Sequence, residues 1–335
     1  MPLFLPPHPW CDCTSICLLG GFLLTAQFLR KLGAVSAAAM ALVPALAVAQ
    51  DATSTEGGYT AGHPLPGQFH LQRSVTPIMD SITQFHDGIL MWTISAIVLL
   101  VLALLVYIVI RFNAKANPVP ARFTHNTMVE IIWTVLPIIA LIIIAIPSFG
   151  VLSDQLTTPD GERKYLGHNI FSFGEVDVPA PALTVKATGE QWYWTYEYVD
   201  QGKFFDSNML RDAEREAQKP GQPRLLAVDN ELVVPVNTTV RVEVTASPSG
   251  VIHAFAVPSF GIKIDAVPGR LNETWFNARE TGLYYGQCSE LCGKDHAFMP
   301  IAVRVVTDEE FKAFMAAFES GGDYASASAT LSPIK

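Results

Sequence analysis

Apolar positions follow two different rhythms along the chain. Residues 88–110 form an uncharged run long enough to cross the roughly 30 Å of bilayer hydrocarbon. A second uncharged run, 131–152, carries Pro137 and Pro147, which membrane helices tolerate because their surroundings re-satisfy the freed carbonyls. Beyond residue 153 the period falls to two. Leu183, Val185 and Ala187 alternate with polar neighbours, and Val240, Val242 and Val244 flank Arg241 and Glu243. Further strands are predicted at 191–198, 231–234 and 301–306. Pro, Gly and Asn punctuate them, which points to a small β-sandwich or barrel. Thr307 and Glu310 are spaced as a capping box ahead of Phe311, Phe314, Met315 and Phe318, predicting a short helix. From Gly321 onward small residues dominate, and a flexible tail is expected.

The N-terminal region reads as a targeting segment. Arg30 and Lys31 precede an apolar stretch that ends in Ala47-Val48-Ala49, the pattern of a signal peptide and its cleavage site. The expected organisation is therefore an extension and signal peptide at 1–49 and a mature N-terminal segment at 50–84. A transmembrane helical hairpin at 85–152, a β-domain at 153–319 and a tail at 320–335 follow. Between the two apolar runs lie Arg111, Lys115 and Arg122 with no acid, which places that loop in the cytoplasm and both mature ends outside. Trp92 and Trp133 fall near opposite membrane faces.

Composition sharpens this picture. Half of the 335 residues are apolar and only 16% are charged, which excludes a disordered chain, a collagen-like fibre and an ordinary cytosolic enzyme. Six acids and six bases cancel within residues 1–149, so the whole net charge of −9 belongs to 150–335. A nucleic-acid binder would show a basic stretch there, and the sign is opposite. Cleavage after Ala49 would remove Cys11, Cys13 and Cys17, leaving Cys288 and Cys292 as the mature chain's cysteines.

Those two sit in a stretch that carries chemistry, Cys288-Ser-Glu-Leu-Cys292-Gly-Lys-Asp-His296-Ala-Phe-Met299, with His253 upstream. Two cysteines in an exported domain most simply form a disulfide. A bridge over three residues closes a small loop and adds little stability, and it leaves both histidines and Met299 unexplained. Structural zinc usually takes four Cys or His ligands, so Met299 would be idle. A mononuclear copper site needs one thiolate, and here there are two. Two thiolates bridging a pair of copper ions, with one imidazole each, use every group. The competing expectation is a membrane-anchored binding module with a Cys288–Cys292 disulfide and no metal.

Four motifs carry a specific resemblance: Gln287-Cys-Ser-Glu-Leu-Cys-Gly, His296-Ala-Phe-Met-Pro, Phe260-Gly-Ile-Lys-Ile-Asp-Ala-Val-Pro-Gly-Arg270 and Gln191-Trp-Tyr-Trp-Thr-Tyr-Glu-Tyr. Over about residues 85–318 the chain resembles cytochrome c oxidase subunit II. The resemblance implies an α+β membrane protein, a two-helix transmembrane hairpin followed by an exported all-β cupredoxin-like barrel. It implies a binuclear copper centre, Cu_A, held by His253, Cys288, Cys292, His296, Met299 and the backbone carbonyl of Glu290. The Glu290 side chain would serve a magnesium ion shared with subunit I. Trp192 would be the electron-entry residue, Glu197 and Asp229 would help dock cytochrome c, and Glu130 would open a proton pathway. Implied partners are subunit I, subunit III, cytochrome c and the bilayer of a bacterial inner membrane, with no nucleic acid. Asp265 and Arg270 are expected to form an ion pair or a hydrogen-bond network beneath the metal site. Ser247-Pro-Ser-Gly250 replaces an acid that often precedes the family's first histidine, putting one docking contact in doubt.

Overall fold

The computed structural model describes residues 60–119, 121–162, 164–165 and 176–333. The expected signal peptide, its cleavage site and the three N-terminal cysteines lie outside these residues. The described chain divides into two units: Ile94–Phe123 forms one, and 60–93 with 124–333 the other.

The chain enters with β1 (Thr60–Gly62), followed by α1 (Pro77–Gln84), a single π-turn (Phe85–Leu90) and α2 (Met91–Arg111). Thr76 caps α1: its hydroxyl oxygen accepts from Met79 N at 3.1 Å and its O–H donates to the Phe260 carbonyl at 2.7 Å. Pro77 follows at the first helical position, where no N–H is needed. α3 (Thr127–Leu156) starts at Asn126, whose side chain accepts from Val129 N. Its apolar side chains are exposed along its length, as they are in α2, and both helices are long and apolar enough to span a membrane. At 30 residues, α3 measures ~45 Å. The helices start or end a few residues beyond the apolar runs because their caps and last turns are polar.

The remaining elements are short. A ribbon of β2 (Lys164–Tyr165) and β3 (Val176–Asp177) leads into β4 (Leu183–Glu190), β5 (Tyr193–Tyr198) and β6 (Lys203–Ser207). Then come α4 (Asp212–Gln218), β7 (Leu232–Pro235), β8 (Thr239–Ala246), β9 (His253–Val257) and β10 (Ile262–Ala266). β11 (Asn272–Asn277), β12 (Gly282–Cys288), β13 (Pro300–Val306), α5 (Asp308–Glu319) and α6 (Tyr324–Ser328) complete the order.

One sheet runs β11-β8-β4-β5-β6, the other β10-β9-β12-β13-β7 with β1 added parallel to β12. The alternation in β4 and β8 buries Leu183, Val185, Ala187, Val240, Val242 and Val244 between them. Trp194, Tyr196, Tyr198, Phe255, Phe260, Trp275 and Phe276 fill the rest of the interior. The last turn of α3 docks here too. Its orphan carbonyls at Asp154 and Gln155 accept from Trp275 Nε1 (2.9 Å) and Thr274 Oγ1 (3.0 Å) on β11.

Part of the N-terminal segment joins the β-domain: Val75 and Ile78 are buried in the sandwich core, and Val75 N donates to the Ser259 carbonyl. Within 320–335, expected as a flexible tail, residues 323–331 pack against the domain. Asp323 caps α6, the Tyr324 ring lies tilted against Phe205 at 4.6 Å, its O–H donates to the Glu231 carbonyl at 2.6 Å, and Leu331 is buried. Aromatic burial on one face supplies the contact that small residues around it do not. Tyr324→Ala is accordingly expected to destabilise the domain by about 3–5 kcal/mol. Urea unfolding with and without the substitution measures it.

Candidate metal centre

The site lies at one end of the sandwich, where β9 begins and β12 ends. Antiparallel pairing sets Cys288 opposite Phe255 and Gln287 opposite Ala256, which leaves His253 at the free end of β9 beside the Cys288 side chain. The chain then loops through Cys292, a 3₁₀ turn at His296–Phe298 and Met299 before re-entering the sheet as β13.

His253, Cys288 and Cys292 are buried, with ligand atoms within 4.8 Å of one another. The two sulfurs are 3.8 Å apart and unbridged, far beyond the ~2.05 Å of a disulfide bond. Each sulfur has its own imidazole: His253 Nδ1 lies 3.8 Å from Cys288 Sγ, and His296 Nδ1 lies 3.6 Å from Cys292 Sγ. The Met299 thioether stands 3.5 Å from Cys292 Sγ, and the Glu290 carbonyl 3.3 Å from Cys288 Sγ. All six groups named from the sequence therefore converge.

Electrostatics at this cluster favour a cation. Burial, then the adjacent Cys288 sulfur, push the Cys292 thiol up to about 12. Burial, then His296, hold His253 below the usual histidine range, so its imidazole stays neutral with a lone pair to offer. His253 Nε2 is also buried without a hydrogen-bond partner. Paired sulfurs deprotonate in such a place only beside positive charge, and soft sulfur with imidazole suits copper.

The facing sheet shapes the cradle. An added Cβ on Gly189 of β4 would stand 2.9 Å from the His253 ring, so the glycine makes room for the imidazole. Trp194 on β5 donates from Nε1 to the Met299 carbonyl at 3.3 Å, and Trp192 donates to the Cys292 carbonyl at 3.1 Å. The two tryptophans do not share a strand face. Trp194 is fully buried, whereas Trp192 sits half-buried in the turn before β5. Neither indole contact nor the role of Gly189 was legible beforehand; a glycine inside an alternating strand was the signal for the second.

The other named residues lie elsewhere. Glu130, in the first turn of α3, accepts from the Asn126 backbone N–H at 3.2 Å. Glu197 faces Lys186 across β4 and β5, 3.7 Å away. Asp229 accepts from the backbone N–H groups of Asn208 and Asn230. Glu290 is exposed. Asp265 does not pair with Arg270: its partner is Lys263 at 3.4 Å, two residues away on the same face of β10, while Arg270 is exposed on the following turn.

Fold and site together define a membrane-anchored cupredoxin-like domain with a buried sulfur–imidazole cluster that could hold a metal ion. The family model described as the transmembrane domain of cytochrome C oxidase subunit II matches residues 64–151, and that of its periplasmic domain matches 183–306. The probable cytochrome c oxidase subunit 2 of Rickettsia bellii is 50% identical over 257 residues, covering 76% of this chain and 86% of that protein. The chain belongs to the cytochrome c oxidase subunit II family and is a subunit of the oxidase complex. Cytochrome c oxidase subunit 2 of Cereibacter sphaeroides is 41% identical over 294 residues, covering 83% and 88%. A crystal structure of the periplasmic domain of subunit II of cytochrome oxidase from Bradyrhizobium japonicum is 60% identical, covering 44% of this chain and 99% of that one, at a TM-score of 0.39.

Gly189→Val is expected to push the His253 ring off its seat and lower copper retained after dialysis, with the fold kept. Copper analysis beside circular dichroism checks both.

Proposed function

We propose that this chain is the electron-entry subunit of a bacterial haem–copper oxidase. It receives electrons singly from reduced cytochrome c and delivers them to haem in subunit I, where oxygen is reduced to water and protons are pumped. The observation that carries this reading is the pair of unbridged sulfurs, each with its own imidazole.

His253, Cys288, Cys292, His296, Met299 and the Glu290 carbonyl would hold a Cu_A centre. When bound, such a copper pair would supply a one-electron carrier. The protein's share is rigidity. His253 is wedged against Gly189, and two indoles fasten the loop at Cys292 and Met299, so the donors keep their places whichever charge they face.

Trp192, half-buried at the surface with its N–H on the Cys292 carbonyl, would pass the electron inward. The acidic balance of 150–335 suits capture of a basic cytochrome by long-range attraction, which salt weakens. Glu197 and Asp229 contribute to that field, although both are tied into local contacts. Glu290, exposed on the ligand loop, can reach outward to a magnesium ion shared with subunit I. Glu130 stands at the end of α3 next to the basic loop and would admit protons from the cytoplasm. That loop orients the chain in the inner membrane with its β-domain outside, and subunits I and III would cover the apolar helices.

The purified full chain should bind two copper ions and show a mixed-valence electron paramagnetic resonance spectrum. Cys292→Ser should abolish that spectrum. One copper per chain, or a Cys288–Cys292 disulfide with no copper, would overturn the reading. Trp192→Ala should slow electron entry on the order of tenfold or more, ~1.4 kcal/mol of barrier, with copper content unchanged. Stopped-flow mixing with reduced cytochrome c measures that rate.

A further inference from the structure

The turn joining β4 to β5 lays Trp192 against the ligand loop, where three consecutive residues hold its indole. Its N–H donates to the Cys292 carbonyl at 3.1 Å. Gly293 has φ +125°, a conformation that strains any other residue, and a Cβ there would stand 3.0 Å from Trp192 Cζ2. The Lys294 ammonium lies 5.2 Å from the indole centroid, within cation–π reach, while remaining largely exposed beside Asp295 at 3.7 Å.

We propose that Gly293 and Lys294 are positioning residues for electron entry. Together they lock the Trp192 indole onto the carbonyl of Cys292 and set an ammonium at the rim where the donor docks. This deepens the electron-entry reading and rests on it. An indole tethered at its N–H, pressed by a backbone and covered by a cation keeps one orientation. One hydrogen bond then joins it to the backbone of the residue whose sulfur serves the metal. The placement also bears on selectivity. Most of the domain's excess charge is negative, yet the side chain that covers Trp192 is a lysine, with Asp295 beside it. A basic donor must therefore meet Lys294 with an uncharged or acidic patch and keep its own cations for the surrounding acids.

The test uses the purified oxidase complex carrying Lys294→Met, Lys294→Arg or Gly293→Ala. Lys294→Met keeps the apolar stem and removes the charge, and arginine restores a cation able to stack. Two quantities are read. One is oxidation of Trp192 by N-bromosuccinimide, located by peptide mass spectrometry. The other is electron entry at saturating reduced cytochrome c. With copper content unchanged, Lys294→Met should raise Trp192 oxidation about two- to fivefold, the change that losing one exposed cation–π contact allows. It should also lower saturated entry, and Lys294→Arg should return both to wild type. Gly293→Ala should exceed Lys294→Met in both. If Lys294→Met leaves either quantity at the wild-type value while Trp192→Ala slows entry, the positioning role is overturned. If Trp192→Ala itself leaves entry unchanged, the electron-entry reading fails and the positioning role falls with it. A failure of the copper reading shows separately, as missing copper in the wild-type complex.

Discussion

Two sulfur atoms 3.8 Å apart in a dry interior are the constraint around which this domain is arranged. Left to themselves they would oxidise to a bridge or stay protonated, since a buried thiolate pair has no water to stabilise it. Holding them apart takes backbone that does not yield. Cys288 is fixed by the β9–β12 ladder, and Cys292 by an indole N–H on its own carbonyl. The low basicity of His253 and the high basicity of the Cys292 thiol are two results of the same desolvation. The first leaves an imidazole lone pair free for a metal ion, and the second means that Cys292 yields its proton only to a bound cation.

Responsibility for the cluster is divided between the sheets. One supplies His253 and Cys288 from neighbouring strands; the other supplies no ligand but provides Gly189, Trp192 and Trp194, which determine where the ligands sit. The geometry therefore depends on the sheets keeping their separation. That separation is filled by rings: Trp194 meets Phe255 edge-on at 5.4 Å, and Phe260 stacks on Phe276 at 4.5 Å. A change in this packing would reach the metal ligands without touching any of them.

Much of this was legible in the amino-acid order. The period-two runs in β4 and β8 and the two uncharged stretches each encode burial through local spacing, and the ligand loop concentrates four donors within twelve residues. What escaped detection depends on contacts distant in sequence. Tyr324 looks like a tail residue until Phe205 and Glu231 stand beside it. Val75 and Ile78 are part of an N-terminal segment in sequence, and only in three dimensions does the Ser259 carbonyl receive Val75 N–H. Asp265 found Lys263 and not Arg270, because residues two apart on a strand share a face whereas Arg270 lies past a turn. The carboxylates named for docking and proton entry could be placed but not distinguished from capping and cross-strand partners, since one short side chain serves either purpose.

The parallel pairing of β1 with β12 carries a topological consequence. Thr60, Ala61 and Gly62 precede both apolar helices in the chain, and Gly282, Leu283 and Tyr284 follow them, yet these residues form one ladder. Strands on opposite sides of a bilayer cannot exchange hydrogen bonds. The number of crossings between them must therefore be even, by a parity argument that needs no count of positive charges. With two helices able to cross, that ladder fixes the chain before and after them in the same compartment.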